Sequence, residues 1–590
     1  MNKTERIDPV YSATEYRPSK PAQPAWLYPR GEYEAFMLAK MCADIKGLKL
    51  LVGYPGVFRP PVVTAWFRNA NPNAAFACAN GYAVRTVGAE GQTIRVTVSD
   101  SRASIPALQS EDAGWLASVN GVDFSRAVPG GLPTGDEQPR VALEAKPVPD
   151  IPGLYDVGRE VLADLVFHTP DMPSFKVGES LHEVKHVMPA TREQTFGTVR
   201  QADGSWKTPR PLAFRYVSLS PRTEEAAFEV HAAYTPLVYR RAYDFGDAEL
   251  NRIWEAAAYT LRLCILTFQI DGVKRDRLPW GGDLALSLLA NAYSFREPDP
   301  IRRTLTVLGR DGVQFSSVNG ILDYSLWIVI SHAFYQEHFG DAAFLAENWP
   351  MLTQVLDWFA VRAEAGGGLL RPVEEHEENG VAVKGDWCFI DWLDMEKTTA
   401  LQMVMHWAFA SGAKLAGLAG DAASAKRYAD FAAALRARIN QVAFDPVAGL
   451  YRGDVFSAAS KPQRHANFLA VISGVAEEEM RESIARGLLA REMPEAGTPY
   501  MISLEILALH RLGRTEEALA KLRRVWGGML RLGATTFFEG YDDAFDERSM
   551  CVFYGRPFGM SLCHAWSAAP CALLPMLTGA APQVADGKVR

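Results

Sequence analysis

The run "DGVKRDRLPWGGD", Asp271 to Asp283, gathers three carboxylates, two arginines, a lysine and a tryptophan into thirteen residues. Carboxyl groups held close together can divide two duties: one stays protonated and donates to a leaving oxygen, while another, ionised, activates water. Arginine and carboxylate can hold sugar hydroxyls, and the face of a tryptophan ring can cover the apolar face of a pyranose. A solvated interhelical loop whose charges pair with one another would have the same composition. What favours chemistry is company. The runs "VKGDWCFIDWLD" (Asp386, Trp387, Asp391, Trp392), "GATTFFEGYDD" (Glu539, Tyr541) and "SLCHAWSAAP" (His564, Trp566) each put aromatic and ionisable side chains together between helical segments. One buried tryptophan is more often core than sugar platform. Four such clusters in one half of the chain point to a carbohydrate site.

Those clusters need elements to hold them, and the texture of the chain changes near residue 240. Before it lie short alternating segments. In "TIRVTVS", Ile94, Val96 and Val98 share one face of a strand, and "FRYVSLS" brings Phe214, Tyr216 and Val217 close together. Pro- and Gly-rich stretches such as "VGYPGVFRPPVV" separate them, so the first 240 residues are predicted to be mainly β, one or two sandwich-like units. After residue 240 the period becomes helical. Asp247 can cap a helix whose Leu250, Ile253, Trp254, Ala257 and Leu261 form one stripe. The spacing returns at Tyr428, Phe431, Leu435 and Ile439, and at Ala518, Leu522 and Val525. Many helices of about three to four turns joined by loops predict a helical toroid or bundle with its functional loops gathered at one end.

Composition removes several function classes. The 590 residues exceed what one core usually serves, and 48% hydrophobic with 22% charged residues is ordinary for a globular protein. A net charge of −8 without a long basic block gives no footprint for nucleic acid. With no long apolar run and no apolar core in the opening residues, neither a membrane span nor a secretory leader is expected, and the chain reads as cytoplasmic. The seven cysteines lack the paired spacing of a zinc ribbon or a disulfide framework and are expected as reduced thiols. "HEVKH", His182 to His186, matches a zinc-protease pattern. Gly178 and Pro189 bracket it too closely for a long helix, and no third ligand follows. Read as a strand, it alternates His182, Val184 and His186 onto one face. No metal is expected there.

In order and spacing, "LNRIWEAAAYTLRLCILTFQIDGVKRDRLPWGGD", "GDW", "GATTFFE" and "SLCHAWSAAP" resemble glycoside hydrolase family 78, the α-L-rhamnosidases. The likeness runs about 330 residues from Tyr243, with "FRYVSLSP" ahead of it. It implies a multidomain protein: an accessory β-sandwich region over 1–240, an all-α (α/α)6 barrel carrying catalysis over 241–577, and a flexible tail over 578–590. It also implies an inverting acid/base hydrolysis of terminal α-L-rhamnose and no cofactor. The partner is a small carbohydrate, with neither nucleic acid nor membrane, and a homodimer is left open.

The resemblance places the general base at Glu539 of "TTFFE". The acid of the family, usually a glutamate, lies in the first run, which here is one residue shorter and has no glutamate. Asp276 is the best match, with Asp271 or Asp283 as alternatives. Asp271, Arg275, Trp280 and Asp283 match sugar-binding positions, Trp387 and His564 match a platform tryptophan and a binding histidine, and Asp323 and Tyr324 fall near a further contact; Asp386 and Trp392, beside Trp387, are further sugar-binding candidates. Arg275 and Arg277 flank Asp276 and work against an acid, so burial beside Pro279 and Trp280 and the neighbouring anions Asp271 and Asp283 have to outweigh them. Gly281 and Gly282 are expected to let the chain bend closely around the sugar. Two rivals remain: another helical-toroid enzyme, such as a uronide hydrolase or polysaccharide lyase, and a catalytically silent carbohydrate-binding protein.

Overall fold

The computed structural model describes residues 25–44, 62–78, 81–135, 139–185, 197–220, 227–233, 235–274, 276–309, 321–371, 376–378, 381–383, 396–490, 492–552 and 557–583. Its β half contains two units. In the first, a five-stranded and a four-stranded sheet share a core of Phe67, Ile94, Val96, Leu108 and Trp115. The strand Gly91–Thr97 buries Ile94 and Val96 on the predicted face and leaves Arg95 exposed. The second unit is an eight-stranded sheet in which Leu154–His168 pairs antiparallel with both Leu212–Leu219 and Ala227–Ala233. A register shift between Asp156 and Val161 explains why Phe214 and Val217, three residues apart, are both buried: a bulge in the partner strand breaks the period of two.

From Ala248 onward the described residues contain twelve α-helices. Six of them, Gly281–Ala292, Leu322–Phe339, Thr398–Leu418, Arg464–Ser473, Pro499–Arg511 and Pro570–Thr578, pack each on the next, and the last packs back on the first. That closes an inner ring. The helices Ala248–Leu263, Pro298–Gly309, Ala342–Ala365, Ala422–Ala443, Arg481–Leu489 and Thr515–Arg531 lie outside, each against an inner neighbour. Ala248–Leu263 pairs with Pro570–Thr578, so the first and last helices of the domain join the two ends of the ring. The result is the six-hairpin (α/α)6 architecture.

The sequence distinguishes the two layers. Inner helices are apolar nearly all round, and every residue of "GGDLALSLLANA" is buried. Outer helices carry one apolar stripe, as in Thr515–Arg531, where Ala518, Leu522 and Val525 are buried between Glu516, Glu517, Arg523 and Arg524. The predicted stripes at Leu250, Ile253, Trp254, Ala257 and Leu261, and at Tyr428, Leu435 and Ile439, all face the core, with Phe431 packed at its edge.

The "HEVKH" segment corrects the strand reading. Leu181–Lys185 is a single helical turn, with Glu183 and Val184 buried and His182 tilted against Phe558, while His186 lies outside the described residues. Ser180 begins the turn by accepting from the Glu183 N–H at 3.1 Å, and the Glu183 carboxylate accepts from Glu179 N at 2.9 Å, a capping pattern that outweighs the alternation. Among the described residues no group of His, Cys, Asp or Glu could hold a metal ion, the six described cysteines are free, and no helix is long and apolar enough to cross a membrane. Gln583, in the segment expected as a tail, donates to Ala242 O at 2.7 Å.

Asp247 caps the first helix as predicted, accepting from Glu249 N at 2.9 Å and Leu250 N at 3.0 Å, and it also binds Arg523 at 2.6 Å. These donors hold its carboxyl down at about 2, the Arg523 hydrogen bond contributing most. A depressed folded-state value means stability that is present above the ordinary carboxylate range and lost as pH falls toward 2. Asp247→Ala should therefore lower stability by about 0.5–2 kcal/mol near pH 7, with the difference shrinking in acid, as read from melts at both pH values.

Candidate active site

The loop Asp271–Trp280 leaves the first helix and re-enters the ring at Gly281. It is tied down at both ends. Asp271 N donates to Leu278 O at 3.0 Å, and Leu278 N donates back to Asp271 Oδ1 at 3.1 Å. Gly272 pairs with His564 in an isolated β-bridge, and Ala565 N donates to Asp271 O at 2.6 Å. The loop carrying Asp276 is thereby stitched to the segment carrying His564, almost 300 residues later.

Within this frame the chain turns sharply at Asp276 and Arg277, whose φ values of 61° and 55° are left-handed. Neither is glycine, so each costs roughly 1–3 kcal/mol and persists only because its surroundings fix it. This corrects the expectation for the glycines. Gly281 and Gly282 begin a helix, and a Cβ on Gly281 would stand 3.2 Å from Tyr324 O, so Gly281 serves close packing of two inner helices. Arg277 donates to the backbone carbonyls of Val273 and, at 2.7 Å, Pro211.

The structure brings Asp271, Asp276, Trp280, Asp283, Tyr324, Glu539 and His564 into one cluster at the end of the ring where Gly281–Ala292 and Leu322–Phe339 begin. Asp283, in the first turn of its helix, accepts from Tyr324 Oη at 3.0 Å and lies 3.9 Å from His564 Nε2. Trp280 meets Tyr324 edge to face at 6.2 Å. Glu539 is buried; Ser561 N donates to its Oε2 at 3.2 Å and Trp566 Nε1 to its carbonyl at 3.0 Å. His564 lies against Trp566 at 4.0 Å. Asp323 is fully buried, accepting from Trp327 Nε1 at 3.1 Å. Arg275, Asp386, Trp387 and Trp392 lie outside the described residues.

Electrostatics marks the same cluster. Burial, followed by the charges of Asp276 and Asp283, drives the Asp271 carboxyl far above its ordinary range. Burial also pushes Asp283 up to about 7; the Tyr324 hydrogen bond opposes this, while Glu539 and Asp276 add to it. Asp283 thus senses both carboxyls that the sequence nominates for acid and base.

Sequence reasoning left out two aromatic neighbours. Tyr500 is buried with its ring 5.6 Å from Trp327 and 6.0 Å from Trp566, and its hydroxyl is pushed up by burial and by Asp283 and Asp323. "TPY" at a helix start was its only local signal, Thr498 capping and Pro499 opening the helix. Trp566 stood in a quoted cluster but was not named as a site residue.

Residues 245–577 match the bacterial alpha-L-rhamnosidase 6 hairpin glycosidase domain. The chain belongs to that family. A rhamnosidase from Klebsiella oxytoca with rhamnose bound is similar at 23% identity and a TM-score of 0.60, over 85% of this chain and 96% of that one. The GH78 rhamnosidase of Bacillus sp. GL1 is similar at 20% identity and a TM-score of 0.60, over 87% of this chain and 64% of that longer one. An α-L-rhamnosidase from Dictyoglumus thermophilum is similar at 14% identity and a TM-score of 0.56, over 94% of this chain and 74% of that one. At these identities the solved structures establish the shared fold. No curated protein matches the sequence. The six-hairpin glycosidase domain coincides with the ring of helices that carries the cluster.

A buried carboxyl raised to about 7 burdens the folded state, because between its unfolded value near 4 and about 7 the native form must hold a proton that the unfolded chain releases. Stability attributable to Asp283 therefore declines as pH rises through that window. Asp283→Asn should melt higher than the wild type at pH 8, by on the order of 1–4 kcal/mol, with the gap closing by pH 4. Equal melts at both pH values would contradict the burial reading.

Proposed function

We propose that the protein removes terminal α-L-rhamnose from rhamnosides by single-step hydrolysis with inversion. In this reading Asp276 gives its proton to the glycosidic oxygen as the bond from that oxygen to the anomeric carbon breaks. A water attacks the same carbon from the opposite face, and Glu539 takes the water's proton. One observation carries the reading: Asp283, buried in the cluster, is acted on by both Glu539 and Asp276. The two nominated carboxyls therefore both lie near Asp283.

Glu539 accepts a backbone N–H from Ser561, a contact that favours a carboxylate able to serve as base. Asp276 is half-buried in the loop that also carries the buried Asp271. Trp280 and Tyr324 supply aromatic surface, and Asp283 and His564 supply polar groups for hydroxyls. A uronide is disfavoured, since an anion would meet Asp271, Asp283 and Glu539.

Asp283 is the competing donor, favoured by its carboxyl standing at about 7. Leaving groups separate the two. An aryl oxide departs with little protonic help, whereas a sugar alcohol does not. Asp276→Asn should lose about 10²–10⁴-fold in kcat/KM on a rhamnosyl disaccharide, far less on a nitrophenyl rhamnoside, and should lose the alkaline limb of the pH profile. Asp283→Asn should slow both substrates alike. The opposite pattern transfers the donor's role to Asp283. Glu539→Gln should fold normally and lose about 10²–10⁴-fold on both substrates, and retained turnover would remove Glu539 from the mechanism. Proton NMR of the first-formed rhamnose should show the β anomer, whereas initial α product would mean retention.

A further inference from the structure

The β half touches the carboxyl cluster through a buried set of charges that the reaction itself does not use. Lys274 stands two residues before Asp276, with its side chain 2% exposed. Its Nζ lies 2.7 Å from Glu183 Oε1 and 3.4 Å from Glu179 Oε2, and donates to Met560 O at 3.0 Å. Both glutamates come from the β half, at the end of the strand Phe175–Gly178 and on the helical turn that follows it. Glu179 Oε2 also accepts from Leu562 N at 2.8 Å. Met560 and Leu562 flank Ser561, whose N–H donates to the Glu539 carboxylate at 3.2 Å and whose carbonyl accepts from Glu539 N at 2.9 Å. A single carboxylate oxygen therefore touches the lysine that anchors the Asp276 loop and the backbone of the strip that holds Glu539.

We propose that Glu179 is a positioning residue, a tie by which the β half sets the placement of the Asp276 loop against the Glu539 segment, with Glu183 holding Lys274 from the other side. The proposal rests on the reading of Asp276 and Glu539 as acid and base. A buried ion cluster is a poor source of net stability, because desolvation offsets attraction. Its geometry is nevertheless specific: removing one partner leaves a buried charge unmatched and moves the backbone it held. A displacement of about 1 Å between reacting groups can cost roughly 10²-fold in rate.

The two glutamates make different contacts, and that difference supplies the test. Glu179→Gln and Glu183→Gln are made in the full chain and checked for fold by circular dichroism and for L-rhamnose affinity by calorimetry. Glu179→Gln should slow a nitrophenyl rhamnoside and a rhamnosyl disaccharide about equally, by about 10-fold or more in kcat, with KM and rhamnose affinity within about 2-fold. Glu183→Gln should slow the disaccharide by about 10-fold and the nitrophenyl rhamnoside by less than about 2-fold, because the donor's loop is loosened while the strip keeps its direct bond to Glu179. Hydrogen exchange reads the tie without turnover: both 271–283 and 557–564 should exchange faster in Glu179→Gln, whereas in Glu183→Gln the gain should be large in 271–283 and smaller in 557–564, which keeps its bond to Glu179. If Glu179→Gln does not fold, the Glu183→Gln pattern decides. Unchanged exchange in 271–283 in either variant, or a Glu183→Gln loss that ignores the leaving group, overturns the proposal. A wild type without turnover would overturn the acid/base reading, and the tie would then be judged by exchange alone.

Discussion

The structure is organised around one electrostatic difficulty: several carboxyl groups are buried side by side at one end of a helical ring. Asp271, Asp283, Asp323 and Glu539 are each less than a tenth exposed, and burial, reinforced by neighbouring carboxyl charges, lifts Asp271 and Asp283 out of their ordinary range. Water would normally solvate such groups. Here the ring supplies the substitute, since the cluster lies where inner helices begin. Asp283 occupies the first turn of Gly281–Ala292, Asp323 and Tyr324 the first turn of Leu322–Phe339, and Tyr500 that of Pro499–Arg511. Helix N-termini present unpaired N–H groups and the positive end of the macrodipole, which partly offset the negative charge gathered there. The remaining cost leaves protons on carboxyls near neutral pH, a property that hydrolysis of a glycosidic bond requires of one of them.

The β half bears on the same difficulty from outside the ring. Glu160, Glu179 and Glu183 are buried against the helical domain, Tyr259 donates to Glu160 O at 2.6 Å, and Lys274 is matched by two carboxylates. The residues that form the interface are therefore continuous with those that hold the loop. An accessory region contributing only surface would not need charged groups sealed between the domains.

Much of the helical half was legible because its code is local. A stripe such as Leu250, Ile253, Trp254, Ala257 and Leu261 fixes which face is buried, and Asp247 marks where the helix starts. The chemistry-bearing clusters were also visible, since Asp and Trp between helices stand out from an apolar background. What the sequence hid depends on distant partners. "HEVKH" turned into a helix because of Ser180 and Glu183, and Glu183 is engaged by Lys274 from the other half of the chain. Phe214 and Val217 both face inward because a bulge sits in the opposite strand. The left-handed pair Asp276 and Arg277 carries no glycine to announce it. Tyr500 reaches the cluster only through the closure of the ring.

On the proposed function, this carboxyl cluster transfers protons to and from a neutral deoxysugar glycoside. The most direct measurement is the pH dependence of kcat/KM for the wild-type protein on nitrophenyl α-L-rhamnoside, beside the same aryl α-D-mannoside and an unsaturated aryl uronide. Turnover of the rhamnoside is expected in strong preference to the other two, with a bell-shaped profile reporting one carboxylate and one carboxylic acid. Rhamnose binding without turnover at any pH, or preference for the uronide, would contradict the proposed function.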